Sequence, residues 1–188
     1  MPNYRRRYRT GATYFFSMVT YRRRHLFDNE ENVDRLRSAF RQTLEEHPFE
    51  IEAAVILPDH THQLWKLPLG DSDFSRRAGR AKALFTKSLP EHRISAEPSR
   101  AKHRESDVWQ RRFWEHEIRD ADDFKAHLNY IHYNPVKHGY VTCPHLWPWS
   151  SFRKWVALGQ YSLDWLCVCN GRQVVLPEFP QVDEEFGE

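Results

Sequence analysis

Apolar and polar residues change rhythm several times along the chain, and each change predicts an element. Residues 12–21 (Ala-Thr-Tyr-Phe-Phe-Ser-Met-Val-Thr-Tyr) are mostly β-branched or aromatic and predict a first strand, with a basic exit over 22–27. Between Asn29 and Glu46, Val33, Leu36, Phe40 and Leu44 recur at helical spacing, and Pro48 closes that helix. Residues 49–57 predict a second strand, Pro58-Asp59 a turn, and residues 60–67 a third strand. Asp73 is placed to cap a second helix that runs to about Leu89. Residues 91–107 are polar, contain Pro98 and predict a loop. A fourth strand is expected over 108–118. Asp120 then caps a helix that carries Phe124, Leu128 and Ile131 into Asn134-Pro135.

The resulting order is strand, helix, strand, strand, helix, strand, helix. Its first six members are the split βαβ arrangement, so the expected class is α+β: a ferredoxin-like antiparallel sheet with helices on one face and a further helix after it. At 188 residues one domain is expected. Residues 1–140 form that domain, and residues 141–188 form an aromatic, proline-punctuated extension packed on it and ending in an acidic tail. Neither a repeat nor a separating linker interrupts the chain.

Charge adds an asymmetry that the near-neutral total conceals. Residues 1–104 hold 20 Lys and Arg against 13 Asp and Glu, whereas residues 105–188 hold 8 against 13. Arginine dominates the first part, in Arg5-Arg6-Arg7 and Arg22-Arg23-Arg24, and Arg111-Arg112 follows later. Guanidinium forks suit phosphate, so these groups are the candidate nucleic-acid contacts, against the plainer reading of a solvated surface. No apolar run is long enough to span a membrane, and the N-terminus lacks the apolar stretch of a secretion signal. The three cysteines, Cys143, Cys167 and Cys169, are too few for a disulfide framework and are expected to be reduced thiols in the cytoplasm.

Two local patterns carry chemistry. In Leu57-Pro58-Asp59-His60-Thr61-His62-Gln63-Leu64-Trp65, the strand period puts His60 and His62 on one face, about 6–7 Å apart, where two imidazoles can share a divalent ion. The alternative is a pair of strand-surface histidines. In the later helix, Phe124, Leu128, Ile131 and Pro135 form the buried arc, with His127, Tyr130 and Asn134 together on its flank and Tyr133 on the far side. Tyr130 is therefore the better-placed nucleophile, and Asn134 can bring an amide oxygen to the same centre. A boundary tyrosine that packs its ring and wets its hydroxyl is the competing reading.

The histidine strand resembles that of the HUH single-tyrosine transposases, with Thr61 where those proteins usually carry a hydrophobe. Residues 109–116 (Trp-Gln-Arg-Arg-Phe-Trp-Glu-His) and 130–139 (Tyr-Ile-His-Tyr-Asn-Pro-Val-Lys-His-Gly) are similar to motifs of one branch, the REP-associated tyrosine transposases. So are Tyr4–Tyr8 and Trp147-Pro148-Trp149-Ser150-Ser151-Phe152, and the resemblance extends over roughly residues 4–165. It implies a ferredoxin-like fold and an enzyme that nicks single-stranded DNA beside hairpins of palindromic repeats. His60, His62 and Asn134 match the metal ligands, although many relatives place Gln at the third position. Tyr130 matches the nucleophile that becomes joined to the 5′-phosphate.

The expected cofactor is one divalent metal, Mg²⁺ or Mn²⁺, which leaves the phosphodiester's charge offset and phosphorus polarised. A tyrosine, with an ordinary pKa of about 10, needs activation, and His127 or Lys137 are candidates to assist. The expected partner is hairpin DNA in a bacterial cytoplasm, at the nucleoid. No membrane is involved, and a monomer is favoured over a dimer because the extension can cover a sheet edge. Two other readings stay open: a hairpin-binding regulator without catalysis, and a replication-initiator or relaxase-type nickase.

Overall fold

Strand β1 (Thr13–Val19) is hydrogen-bonded on both sides, in a four-stranded sheet of order β2-β3-β1-β4. Its companions are β2 (Glu50–Ile56), β3 (His60–Lys66) and β4 (Trp114–Glu117), and every pairing is antiparallel. The computed structural model describes residues 7–90, 97–102, 106–180 and 182. Helices α1 (Glu30–Glu46) and α2 (Phe74–Ser88) cross one face, and α4 (Ala121–Lys137) lies on the other. This is the ferredoxin-like order expected from the sequence.

Two cores follow from that sandwich. Tyr14, Phe16, Met18 and Trp65 meet Val33, Leu36, Ala78 and Phe85 beneath α1 and α2, while Phe15, Val55 and Leu64 meet Leu128, Tyr130 and Ile131 beneath α4. The central strands are thus buried on both faces. That explains why residues 13–19 read as an almost unbroken apolar run rather than a clean alternation. Each long helix starts at a side-chain cap: Asn29 accepts from Asn32 N, Asp73 from Arg76 N and Asp120 from Asp123 N, each at 2.9 Å. A cap of this kind contributes about 1 kcal/mol.

Three boundaries differ from expectation. The fourth strand is confined to Trp114–Glu117, because Val108 and Trp109 turn into the core beneath α1 and α2 and only a single bridge joins Trp109 to Thr20. A short helix, α3 (Pro98–Ala101), stands within the expected loop. Its Arg100 is buried and donates through a guanidinium nitrogen to Trp109 O at 3.0 Å. Finally, α4 continues through Pro135 to Lys137. A proline so close to the C-terminus costs the helix one backbone bond, and Gly139 (φ +72°) then takes the left-handed turn that closes it.

After α4, the chain returns along the outer edge of β2. Ile56 N donates to Trp149 O at 2.9 Å, Ala54 N to Ser151 Oγ at 2.9 Å and Ser151 N to Ala54 O at 2.8 Å. The indole nitrogens of Trp147 and Trp155 reach Ile56 O and Glu52 O. Helix α5 (Phe152–Ala157) follows this strip. The expectation of reduced thiols is corrected here: Cys143 and Cys167, with Cα atoms 4.2 Å apart, are joined as a disulfide, and Cys169 is free and exposed. Counting cysteines did not reveal that the extension folds two of them into contact. Among the described residues, no helix is long and apolar enough to cross a membrane.

Candidate active site

Strand β3 runs through the middle of the site because both of its faces are used. On the α1/α2 side, Trp65 Nε1 donates to Gln63 Oε1 at 2.7 Å, and Gln63 Nε2 donates to Thr61 Oγ1 at 3.3 Å. Thr61 therefore serves a polar ladder on the face away from the histidines, where its hydroxyl is an asset. On the α4 side, His60 and His62 are fully buried, with ring centroids 4.7 Å apart.

Each imidazole is held by its Nδ1. His60 Nδ1 is 2.5 Å from Asp59 Oδ1, and His62 Nδ1 is 3.0 Å from Ser17 Oγ on the neighbouring strand. Nε2 of each ring is buried and makes no hydrogen bond among the described residues. Anchored Nδ1 with a vacant Nε2 is the donor arrangement metal-binding imidazoles adopt. Burial, reinforced by the charges of His60, His138, Lys137 and Arg23, pushes His62 well below the ordinary imidazole range and keeps it neutral. Burial alone would raise Asp59, but the hydrogen bond and charge of His60, together with Arg23, outweigh it and hold the carboxyl at about 2.

Helix α4 brings Tyr130 to His62 and His138 to His60, and Asn134 stands between those two, about one turn from each on the same flank. The Tyr130 ring is buried edge-on to His62 at 5.0 Å and to Phe15 at 5.9 Å, with Lys137 Nζ 5.2 Å from its centroid. Asn134 is fully buried, and neither its Oδ1 nor its Nδ2 has a hydrogen-bond partner among the described residues. Tyr133 is half-buried and stacks on Phe179 at 5.3 Å, while the same phenylalanine meets Tyr130 at 6.3 Å. His127 points elsewhere: it packs on Phe15 and stacks on His116 at 4.6 Å.

The residues thus brought together, two imidazoles with buried, unpartnered Nε2 atoms and an unpartnered amide, fit a divalent cation that accepts nitrogen as well as oxygen ligands, Mn²⁺ more readily than Mg²⁺. Sequence reasoning missed three neighbours. Ser17 and Asp59 orient the rings, and His138 stands 5.5 Å from His60 and stacks on Tyr140. His138 follows Asn134 by four, so the flank that holds His127, Tyr130 and Asn134 was the available signal.

The arginine groups divide. Arg5 and Arg6 lie outside the described residues, and Arg7 is exposed. Arg22 and Arg23 both adopt left-handed backbone angles (φ 54° and 50°), a costly conformation for residues with a Cβ. Thr20 Oγ1 braces this turn by donating to Arg24 O at 2.7 Å and Asp59 O at 2.9 Å. Arg22 and Arg24 are turned to solvent, whereas Arg23 pairs with Asp59 Oδ2 at 2.9 Å and belongs to the histidine site. Arg111 and Arg112 are exposed.

A second cluster, His116, Asp123 and His127, is also compact enough for a metal. There, however, Asp123 Oδ2 already accepts from His116 Nε2 (2.8 Å) and from Arg119 N and Nε (3.0 Å each), so its charge is spent on protein donors.

A buried histidine pair on a central strand and a buried tyrosine on the helix across it define a class, and the sequence agrees. Over residues 8–134 the chain matches the family described as IS200-like transposases, and it belongs to that family. Its branch is that of the REP-associated tyrosine transposases. The REP-associated tyrosine transposase of Escherichia coli (strain K12) is 41% identical over 166 residues, 88% of this chain and 91% of that protein. A Haemophilus influenzae protein assigned to the same kind of transposase is 46% identical over 165 residues, 88% of this chain and 93% of that one. A solved REP-associated tyrosine transposase bound to a REP hairpin superposes with a TM-score of 0.73 at 37% identity, covering 94% of this chain and all of the other.

Proposed function

We propose that this chain cleaves and rejoins single-stranded DNA beside hairpins of palindromic repeats, in a metal-dependent reaction that passes through a 5′-phosphotyrosine at Tyr130. The observation that carries this reading is the set of buried, unpartnered polar atoms, Nε2 of His60, Nε2 of His62 and the amide of Asn134, beside the Tyr130 ring. Left unsatisfied, each such group costs about 1–3 kcal/mol. Ligation of a cation removes that cost. A divalent ion held by His60, His62 and Asn134, Mg²⁺ or Mn²⁺, supplies positive charge against the phosphodiester and polarises phosphorus.

The rest is done by the chain's own side chains. Tyr130 Oη forms a bond to phosphorus as the bond from phosphorus to the 3′-oxygen breaks. The phenol gives up one proton and the departing oxygen gains one, which leaves a free 3′-hydroxyl. Lys137 Nζ, 5.2 Å from the centre of the Tyr130 ring, puts a positive charge near the phenol, which favours loss of its proton. Because the phosphotyrosine conserves the ester bond, a 3′-hydroxyl can attack it and rejoin the strand. Arg7, Arg22, Arg24, Arg111 and Arg112 supply exposed guanidiniums for the hairpin's phosphates, and Arg5 and Arg6 add two positive charges to the chain immediately before Arg7.

Residues 1–140 form the catalytic unit, and residues 141–188 are its extension. By occupying the free edge of β2, that extension favours a monomer. An enzyme that acts on repeats in chromosomal DNA works in the bacterial cytoplasm, at the nucleoid.

The test uses hairpin oligonucleotides labelled at either end, incubated with Mn²⁺ and the wild type, Tyr130→Phe or Tyr133→Phe, and resolved on denaturing gels. A protein–DNA adduct through the 5′-phosphate, lost only in Tyr130→Phe, is the expected result. Loss only in Tyr133→Phe moves the nucleophile. Binding without any adduct leaves the hairpin-binding regulator.

A further inference from the structure

Beyond the histidine site, Cys143, His145 and Cys167 place two sulfurs and an imidazole nitrogen within 4.8 Å of one another. Both cysteines are buried and His145 is partly so. The ligands come from two short runs, Cys143-Pro144-His145 and Cys167-Val168-Cys169, and each run offers two metal-binding side chains with one residue between them. The runs are clamped together by Val168 N donating to Thr142 O at 2.8 Å. His145 Nδ1 lies 3.9 Å from Cys167 Sγ and 2.9 Å from Leu163 O. In the structure the two buried sulfurs are joined to each other.

We infer that in the reduced chain Cys143, His145 and Cys167 form a structural zinc site, which the exposed Cys169, outside that compact group in the structure, completes as the fourth ligand when its short run turns inward. The disulfide and the zinc site are alternative uses of the same two sulfurs. The choice between them follows from the compartment. A cytoplasmic enzyme meets glutathione and thioredoxin, which keep thiols reduced, and two apposed thiols beside an imidazole are then three soft or borderline donors, which the Cys169 thiol brings to a tetrahedral Cys₃His set. Cytoplasmic location rests on the proposed function, but the donor set does not. On loading, each thiol exchanges its proton for the metal, and His145 Nδ1 leaves the Leu163 carbonyl, which lies in an exposed residue open to water.

Such a site ties off the extension where it matters to the active site. The loop it closes contains Trp147, Ser151 and Tyr161. Ser151 bonds to β2 and to His132 of α4 (2.9 Å), and Tyr161 donates to Asn129 of the same helix at 2.8 Å. The metal would therefore fix the support behind the helix that carries Tyr130.

The experiment uses the full chain with His60→Ala and His62→Ala, so that metal at the histidine pair is not counted. The protein is purified in reductant with zinc, dialysed, and analysed for zinc content and intact mass, with no DNA present. One zinc per chain is expected, falling to none with Cys143→Ser or Cys167→Ser added. Because those variants can unfold, Co²⁺ is also exchanged into the chain that retains all three cysteines. Thiolate-to-cobalt charge-transfer bands and intense tetrahedral d–d bands are expected. A chain lighter by two hydrogens that holds no zinc, a chain with titratable thiols and no zinc, or a cobalt spectrum lacking thiolate bands would each overturn the site. None of these outcomes depends on DNA cleavage.

Discussion

Asp59 and His60 are neighbours in sequence whose side chains are hydrogen-bonded to each other, Oδ1 to Nδ1 at 2.5 Å, and Arg23 holds the second carboxylate oxygen at 2.9 Å. The carboxylate fixes the His60 tautomer so that Nε2 presents its lone pair, and it makes that nitrogen a better donor. Asp59→Asn keeps the shape and removes the charge. Its Mn²⁺ affinity is expected to fall about 10–100-fold, in line with other carboxylate–histidine–metal supports. Calorimetric titration with Mn²⁺ checks this, and cleavage should recover at saturating metal. An unchanged affinity would remove Asp59 from the metal site.

The arginines should separate by role. Arg111→Ala with Arg112→Ala removes two exposed charges, so hairpin affinity should fall for every sequence tested. The slope of log affinity against log salt should also become shallower by about 1–2. Arg23→Ala should leave that slope nearly unchanged and instead raise the Mn²⁺ concentration needed for cleavage, because Arg23 is committed to Asp59. Filter binding across a salt series, beside a metal titration of cleavage, distinguishes the two. Equal salt slopes for the wild type and the Arg111/Arg112 double variant would mean that this pair does not touch phosphate.

The sheet order was legible because each element kept its own period, and His60 and His62 share a face simply because strands alternate. The flank of α4 that carries Tyr130 was legible from helical spacing for the same reason. What was not legible depends on pairing between distant segments. Ser17 meets His62 only through the β1–β3 register, and Arg23 turns inward only because Thr20 and Asp59 hold a left-handed turn. Likewise, the meeting of Cys143 with Cys167 requires the extension to fold back. Proline signalled the end of α4 too early, since a ring near the last turn breaks one bond and not the helix.

Ser151 links three segments, and its removal should be felt as stability. Its Oγ accepts from Ala54 N on the edge of β2 at 2.9 Å and lies 2.9 Å from His132 Nε2. Ser151→Ala strips both groups of a partner in a partly buried strip. Leaving buried polar groups unsatisfied costs about 1–3 kcal/mol, which for a chain of this size lowers Tm by about 2–4 °C per kcal/mol. Thermal unfolding followed by circular dichroism measures it. A Tm within 1 °C or so of the wild type, given that expectation, would mean that water replaces the hydroxyl and that the strip along β2 is not held by Ser151.

Acid should weaken the fold above the range in which carboxylates titrate, and His127 is one source. Burial depresses this imidazole to about 4 from its ordinary 6.5, against the opposing pull of the Asp123 backbone carbonyl and carboxylate. In the unfolded chain the ring binds a proton below about 6.5. In the folded chain it does so only below about 4. Between those limits the unfolded state carries the extra proton, so stability is complete above pH 6.5 and falls as pH drops toward 4. The span corresponds to about 3 kcal/mol at most. His132, pushed by burial to about 3, adds a loss of the same sign that begins at the same pH and continues down to about 3. His127→Leu removes one of these protons, so urea unfolding between pH 7 and 4 should show a shallower decline than the wild type. If the variant and the wild type lose stability in parallel, His127 is charged in the folded protein and its burial is not what sets the acid limb.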